Sequence, residues 1–76
     1  MAIAIYTTPS CGYCVKAKDY FRANHVPFTE YNVATDKRRA EEMVRKSGQM
    51  GVPVIDLNGK IIVGFNQPEI EKALKR

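Results

Sequence analysis

The chain has 76 residues, of which 45% are hydrophobic and 26% are charged, and its formal net charge at pH 7 is +4. That length is enough for one small domain, residues 1–76, and excludes a second hydrophobic core. No stretch approaches the ~20 apolar residues of a membrane span, and the N-terminus lacks the charged flank and the length of a signal peptide, so we expect a cytoplasmic protein with no membrane partner.

The first predicted elements are a strand at residues 2–6 and a helix at residues 12–23. The strand is apolar on both faces, as expected for a strand in the middle of a sheet. The helix has apolar residues along one stripe, and Asn24 is the predicted left-handed residue that ends it. The side chains of this helix that we expect to face the core are Cys14, Ala17 and Phe21.

Cys11 and Cys14 are the only cysteines of the chain, and they lie three residues apart where this helix begins. Positions i and i+3 of a helix lie within about 5 to 6 Å, so a disulfide can form there without moving the backbone. The free N–H groups and the dipole at the helix N-terminus stabilise a thiolate, which makes Cys11 the predicted nucleophile. Cys14 lies one turn further in, and its predicted role is to attack a mixed disulfide at Cys11 and release the partner.

Two other roles for this cysteine pair compete with redox chemistry. A structural zinc ion needs four ligands, and beyond the two thiols the chain offers only His25 and carboxylates, so we expect no metal site. An inert disulfide that closes so short a loop contributes little stability, and small disulfide-built folds usually have several bridges. Because the pair lies between a strand and a helix in a protein expected in the cytosol, a redox-active pair is favoured.

Residues 28–33 alternate between apolar and polar side chains, which predicts a second strand, parallel to the first through a right-handed crossover. A second helix is expected to begin at Thr35 or Asp36 and to end at residues 47–48. The basic cluster at residues 37–39 is followed directly by acidic residues. That pattern is typical of a solvated helix face, so we expect no nucleic-acid surface.

Asn58-Gly59 separates two further apolar runs, residues 52–57 and 60–63. This dipeptide favours a type I′ turn, in which both residues have positive φ, so the two runs are predicted to form an antiparallel hairpin. A third helix follows, with Asn66 or Gln67 as its N-cap. The resulting order is βαβαββα, an α/β fold with a four-stranded mixed sheet flanked by three helices.

Over its full length the chain resembles the glutaredoxins and the glutaredoxin-like small redoxins, which have the thioredoxin fold. The motifs that carry the resemblance are Ile5-Tyr6 before Cys11-Gly12-Tyr13-Cys14, Ser47-Gly48 before Gly51-Val52-Pro53, and Gly64 at the turn into the last helix. The family usually has Cys-Pro-Tyr-Cys at the redox pair, so Tyr13 matches, whereas Gly12 departs and should loosen the turn. The resemblance implies that Pro53 is the family's cis-proline and that the Val52 backbone pairs with a substrate peptide or with glutathione.

The resemblance also implies a set of substrate-binding residues. These are Thr8, Tyr13, Val52, Pro53, Gly64, Phe65 and Asn66. Glutaredoxins that bind glutathione well commonly have lysine or arginine where this chain has Thr8, and an acidic pair near the position of Asn66 and Gln67. Gly64-Phe65 is instead similar to the small redoxins that take electrons from thioredoxin reductase and serve ribonucleotide reductase.

The resulting hypothesis is a monomeric dithiol–disulfide oxidoreductase with no tightly bound cofactor, in which Cys11 and Cys14 form the redox pair. Its expected partners are disulfide-containing proteins together with either glutathione, as reductant or co-substrate, or a thioredoxin-reductase-like flavoprotein. One alternative is a redoxin that passes electrons from thioredoxin reductase to ribonucleotide reductase. Another is a binding module that holds an iron–sulfur cluster or zinc through Cys11 and a second thiol source across a dimer. Because the charged residues are replaced by neutral ones, we expect glutathione to bind more weakly than in a typical glutaredoxin.

Overall fold

Helices and strands follow one another in the order that the sequence predicts, and the computed structural model describes them over residues 2–74. The ends of the predicted domain, residues 1, 75 and 76, lie outside the described part of the chain. The elements are β1 Ile3–Thr7, α1 Gly12–Ala23, β2 Thr29–Asn32, α2 Lys37–Ser47, β3 Val54–Leu57, β4 Lys60–Val63 and α3 Gln67–Ala73. β3 begins after Pro53, which has no N–H to donate to a ladder, and so it is shorter than the predicted strand 52–57.

The four strands form one mixed sheet in the order β2-β1-β3-β4. β1 is parallel to β2, β3 is antiparallel to both of its neighbours, and the predicted four-stranded mixed sheet is confirmed. In the hairpin, Asn58 has φ 52° and Gly59 has φ 103°, which are the two positive values that the dipeptide predicts. None of the described helices is long and apolar enough to cross a bilayer.

Alternation along the strands divides the core between the two faces of the sheet. One face buries Ile5 and Ile55 against α1 and α3, where Phe21 and Ile70 are fully buried. The other face buries Tyr6 and Val54 against α2, chiefly against Met43. The sheet is therefore covered on both faces, and the loops at its ends are left free to build a site.

The prediction that Asn24 is the left-handed residue after α1 is wrong. Asn24 has φ −98° and ψ 10°, and the left-handed residue is His25, with φ 56°. The N–H of His25 donates to the Arg22 carbonyl at 3.1 Å, and the N–H of Val26 donates to the Phe21 carbonyl at 2.8 Å. This is a Schellman ending, in which the left-handed residue comes one position after the C-cap. The prediction relied on residue type alone and therefore placed the left-handed residue one position too early.

A partly buried polar network joins α2 to the sheet. Tyr6 is fully buried and donates its hydroxyl hydrogen to Glu42. Lys46 Nζ donates to the Tyr6 hydroxyl oxygen at 2.9 Å and to Asp56 Oδ2 at 2.8 Å. The hydrogen bond from Tyr6 is the largest of the contacts that lower the pKa of Glu42. Burial raises the pKa of Asp56, but the hydrogen bonds from Lys46 and a backbone N–H outweigh it, and that pKa is lowered as well.

This network makes stability depend on pH in the acid range. A carboxyl group whose pKa is lower in the folded state contributes stability above its unfolded pKa, and that stability is lost as the pH falls through the folded pKa. We therefore expect Glu42→Gln to lower the free energy of unfolding by about 1 kcal/mol at pH 7 and to have a vanishing effect in strong acid. Urea unfolding of both proteins between pH 7 and strong acid measures the difference in the free energy of unfolding. Asp19→Asn is the control, because the Asp19–Arg22 pair is exposed. A loss from Glu42→Gln that is the same at every pH would contradict the prediction.

Candidate functional site

Three chain segments meet at the end of the sheet where β1 finishes. We call this end of the sheet, where the two cysteines lie, the redox edge. Residues 8–11 leave β1 there, and the register that pairs Tyr6 with Val54 brings the start of β3 to the same edge. β4 ends beside them, and the N–H of Gly64 donates to the Pro53 carbonyl at 2.8 Å. The fold thus gathers the cysteine pair and the predicted substrate-binding segments at a single edge.

Cys11 is the N-cap of α1. Its backbone is extended, with φ −91° and ψ 110°, and its sulfur accepts a hydrogen bond from the backbone N–H of Cys14 at 3.1 Å. The loop before it is closed by a hydrogen bond of 3.3 Å from the Cys11 N–H to the Thr8 carbonyl. The sulfur is half-buried, and it lies where a helix N-terminus and an N–H donor stabilise negative charge.

Cys14 lies in a different environment one turn along the same helix. Only 1% of its surface is exposed. Burial raises the pKa of the Cys14 thiol to about 12, and the adjacent Cys11 sulfur adds to the effect. Both cysteines are free thiols in this structure. Cys14 is therefore a neutral thiol near pH 7, whereas Cys11 is the more exposed of the two cysteines.

The two residues between the cysteines face outward. Tyr13 is 61% exposed beside the redox pair, and Lys16 lies over its ring with Nζ 5.2 Å from the centroid. Gly12 is the first helical residue, its φ is not in the left-handed region, and an added Cβ would contact nothing within 4 Å. Neither the backbone nor the packing therefore requires glycine at this position.

We expect Gly12→Pro to stabilise the protein by about 0.4 to 1 kcal/mol, because proline restricts the unfolded chain and suits the first position of a helix. The N–H that is lost has no partner within the helix, and the extended backbone of Cys11 is compatible with a following proline. Urea unfolding of the reduced protein measures the change. Gly48→Ala is the contrasting control and should destabilise, since Gly48 has φ 76°. A Gly12→Pro protein that is less stable than wild type would contradict the prediction.

Val52 and Pro53 lead from the redox edge into β3. The peptide bond between them is cis, as predicted. Pro53 is buried and Val52 is half-buried. Within the described part of the chain, neither the N–H nor the carbonyl of Val52 has a hydrogen-bond partner. An extended segment with free main-chain groups is a surface along which a peptide can pair as a strand.

Gly64, Phe65 and Asn66 form the third segment of the edge. Gly64 has φ 79°, which turns the chain from β4 toward α3. Phe65 is half-buried and packs edge-on against Tyr20, with the ring centroids 5.9 Å apart. Asn66 is the N-cap of α3, and its Oδ1 accepts from the Glu69 N–H at 3.3 Å. The side-chain oxygen of Asn66 is therefore already engaged in capping.

The sequence reasoning missed a polar cluster that lies one helical turn after Cys14. The buried hydroxyl of Thr7 donates to Glu30 Oε2 at 2.7 Å, and Lys18 Nζ donates to the same oxygen at 2.8 Å. The available signal was the spacing of Lys18, which lies four residues after Cys14 and hence on the same helix face. Glu30 had no such signal, because a polar residue in an alternating strand is expected to face solvent.

Among residues 2–74, no group of three or more His, Cys, Asp and Glu side chains is arranged to hold a metal ion. His25 is exposed at the other end of α1 from the cysteines. The end of the sheet where β1 finishes thus combines the half-buried Cys11, the buried Cys14 behind it, free main-chain groups and apolar side chains. This arrangement can carry out thiol–disulfide exchange.

Comparison with known proteins shows similarity across most of the chain. The family model described as Glutaredoxin matches residues 3–62. An uncharacterized glutaredoxin-like 8.6 kDa protein in the rubredoxin operon of Clostridium pasteurianum is 47% identical over 74 residues, which cover 97% of this chain and 99% of that protein. Glutaredoxin 3 of Escherichia coli K12 is 34% identical over 62 residues, which cover 82% of this chain and 75% of that protein.

A solved structure has the same architecture as this chain. It is that of NrdH-redoxin from Escherichia coli, described as a glutaredoxin-like protein with a thioredoxin-like activity profile. The TM-score is 0.85 at 28% identity, and the match covers 95% of this chain and 93% of that one.

Proposed function

Because this chain belongs to the glutaredoxin family of thiol–disulfide redox proteins, we propose that it reduces protein disulfides and mixed disulfides with glutathione, with Cys11 as nucleophile and Cys14 as resolving thiol. The observation that carries the proposal is the difference between the two sulfurs. Cys11 is accessible and accepts a hydrogen bond of 3.1 Å at a helix N-terminus, whereas Cys14 is buried and its pKa is raised to about 12. A pair with one reactive and one protected thiol suits a reaction in two ordered steps.

In the first step the Cys11 thiolate attacks a substrate disulfide. A bond forms between the Cys11 sulfur and one substrate sulfur, and the other substrate sulfur leaves as a thiolate. In the second step Cys14 loses its proton and attacks the Cys11 sulfur. The Cys11–Cys14 disulfide forms and the second substrate thiolate leaves. The substrate gains two electrons and two protons, and a reductant later returns the two electrons to the protein.

The edge beside the cysteines supports binding of an extended peptide. The free N–H and carbonyl of Val52 can pair with a substrate main chain, and the hydrogen bond from the Gly64 N–H to the Pro53 carbonyl anchors the segment. Tyr13, at 61% exposure, offers an apolar ring beside Cys11. These contacts would bind main-chain and apolar groups of a substrate. They therefore suit substrates that share a disulfide but differ in their side chains.

A second candidate concerns the electron donor. Thr8 and Asn66 are neutral, and the Asn66 oxygen is already bonded to the Glu69 N–H. This supports a flavoprotein reductase of the thioredoxin-reductase type as donor, with Phe65 as part of its apolar contact, and ribonucleotide reductase as one protein that would receive the electrons. The description of the Escherichia coli redoxin as thioredoxin-like in activity favours the same route.

Reduction of insulin disulfides by dithiothreitol tests the proposed function. The wild-type protein should accelerate the reduction in proportion to its concentration. Protein whose thiols have been blocked with iodoacetamide is the control and should leave the reaction at the uncatalysed rate. If the wild-type rate equals that of the blocked protein, the proposed function is wrong.

A further inference from the structure

The polar cluster of Thr7, Glu30 and Lys18 lies beside α1, one helical turn after the buried Cys14. Lys18 follows Cys14 by one helical turn, and its ammonium group donates to Glu30 Oε2 at 2.8 Å. Glu30 lies on β2 and also accepts from the Thr7 hydroxyl at 2.7 Å. The side chain of Lys18 is only 20% exposed, so the charge is held against the protein and does not extend freely into solvent.

The second step of the proposed reaction needs a negative charge on a buried sulfur. Cys14 is 1% exposed, and burial is the largest cause of its raised pKa. In the mixed disulfide the Cys11 sulfur is neutral, so its contribution is removed, but the burial remains. A positive charge nearby lowers the cost of the Cys14 thiolate, because an opposite charge favours the charged form of an ionisable group.

We infer that Lys18, held in place by Glu30, is a positioning residue that stabilises the Cys14 thiolate while it attacks the mixed disulfide at Cys11. This inference rests on the proposed function, and it adds a residue that assists the resolving step. The inference makes three claims about Lys18. It affects the second step, it acts on Cys14, and it does so through its positive charge.

The charged and titratable groups around Cys14 single out Lys18. On its own helix these groups are Cys11 and Lys18. The charged form of Cys14 is favoured by a backbone hydrogen bond from Thr8 and, to a smaller extent, by the ammonium group of Lys18, which among residues 2–74 is the only charged side chain that favours it. From β2 comes Glu30, whose negative charge is neutralised by Lys18 and, at longer range, by Arg22. β1 contributes the Thr7 hydroxyl, which is committed to Glu30.

The expected size of the effect follows from two opposing factors. If removal of the charge raises the pKa of Cys14 by about one unit, the thiolate fraction falls ~tenfold. A more basic thiolate is also a better nucleophile, and with a Brønsted coefficient of ~0.45 it regains ~threefold. The second step should therefore slow by ~threefold near neutral pH, and its pH dependence should move up by about one pH unit.

The experiment is a stopped-flow reaction of the reduced full-length protein with one equivalent of 5,5′-dithiobis(2-nitrobenzoate). Cys11 releases one coloured thiolate when it attacks the reagent. Cys14 releases the second when it resolves the mixed disulfide, so each step has its own phase. The variants are Lys18→Gln, Lys18→Arg and, as a control with the same loss of charge, Lys60→Gln. Lys60 is exposed at the far end of the sheet, where β4 begins.

We expect Lys18→Gln to slow the second release by ~threefold near pH 7 and to displace its pH dependence upward, with a smaller change in the first release. Lys18→Arg keeps the charge and the contact with Glu30, and it should restore the wild-type profile, as should Lys60→Gln. An unchanged second release in Lys18→Gln overturns the inference, as does an equal slowing of both releases. A wild-type protein that gives only the first release instead overturns the proposed function, together with the inference that rests on it.

Discussion

Replacing Cys11 with serine should abolish disulfide reductase activity, and replacing Cys14 with serine should stop the reaction at a mixed disulfide. The reason for the first result is that Cys11 is the accessible sulfur at the helix N-terminus, whereas Cys14 is 1% exposed and its thiol has a pKa of about 12. Cys14 therefore cannot replace Cys11 as the attacking group. A serine hydroxyl is not ionised near pH 7 and does not exchange with disulfides.

Insulin reduction and non-reducing electrophoresis together measure these two outcomes. Cys11→Ser should give the uncatalysed rate, and Cys14→Ser should accumulate a covalent adduct that dithiothreitol releases. Ser10→Ala is the matched control, since Ser10 is exposed in the same loop and none of the side-chain hydrogen bonds among the described residues involves it. Wild-type activity in Cys11→Ser would show that the assignment of the nucleophile is wrong.

The second large effect concerns glutathione, which we expect to bind about a hundredfold more weakly than it does to a double variant, Thr8→Lys with Asn66→Asp. Glutathione has two carboxylates and an ammonium group, and charge-assisted hydrogen bonds contribute about 1.5 to 3 kcal/mol each. A gain of about 1.4 kcal/mol at each of the two positions multiplies to about a hundredfold. Aspartate also caps helices, so Asn66→Asp should preserve the contact with the Glu69 N–H while it adds charge.

The measurement is the rate at which oxidised protein is reduced by glutathione with glutathione reductase, compared with its reduction by NADPH and thioredoxin reductase. The control variant makes the same changes at the opposite edge of the sheet, Thr29→Lys with Asn58→Asp, where both residues are exposed. The site variant should be reduced faster than wild type in the glutathione assay alone. The control variant should be reduced at the wild-type rate in both assays. If wild type is reduced by glutathione as fast as Glutaredoxin 3 is, and the site variant adds nothing, the weak-binding argument is wrong.

Local sequence signals predicted most of the fold because they act within a few residues. The bounds of α1 at 12 and 23 and the turn at Asn58-Gly59 were both predicted correctly. Asp36 was one of the two residues offered as the start of α2, and it caps the helix by accepting from the Arg39 N–H at 3.1 Å. The error at Asn24 arose because the left-handed position is set by the hydrogen bonds of the Schellman ending and not by the residue type.

Contacts between distant parts of the chain are what the sequence could not supply. That Cys14 is less accessible than Cys11 could be predicted from their spacing, since both lie in one helical turn. The contact between Lys18 and Glu30 joins a helix to an edge strand, and no local pattern predicts which lysine meets which carboxylate. The same limit applies to Tyr6, whose hydroxyl reaches Glu42 across the face of the sheet.

The most direct test of the central claim is the mass and peptide map of the wild-type protein after a single turnover with a protein disulfide, quenched in acid. The account predicts that the protein loses two hydrogens and yields one peptide that contains both Cys11 and Cys14, joined by an internal disulfide. Quenching after a short reaction time should trap the substrate as a mixed disulfide on Cys11. A protein that remains fully reduced while the substrate is reduced, or an adduct that forms first on Cys14, would contradict the account.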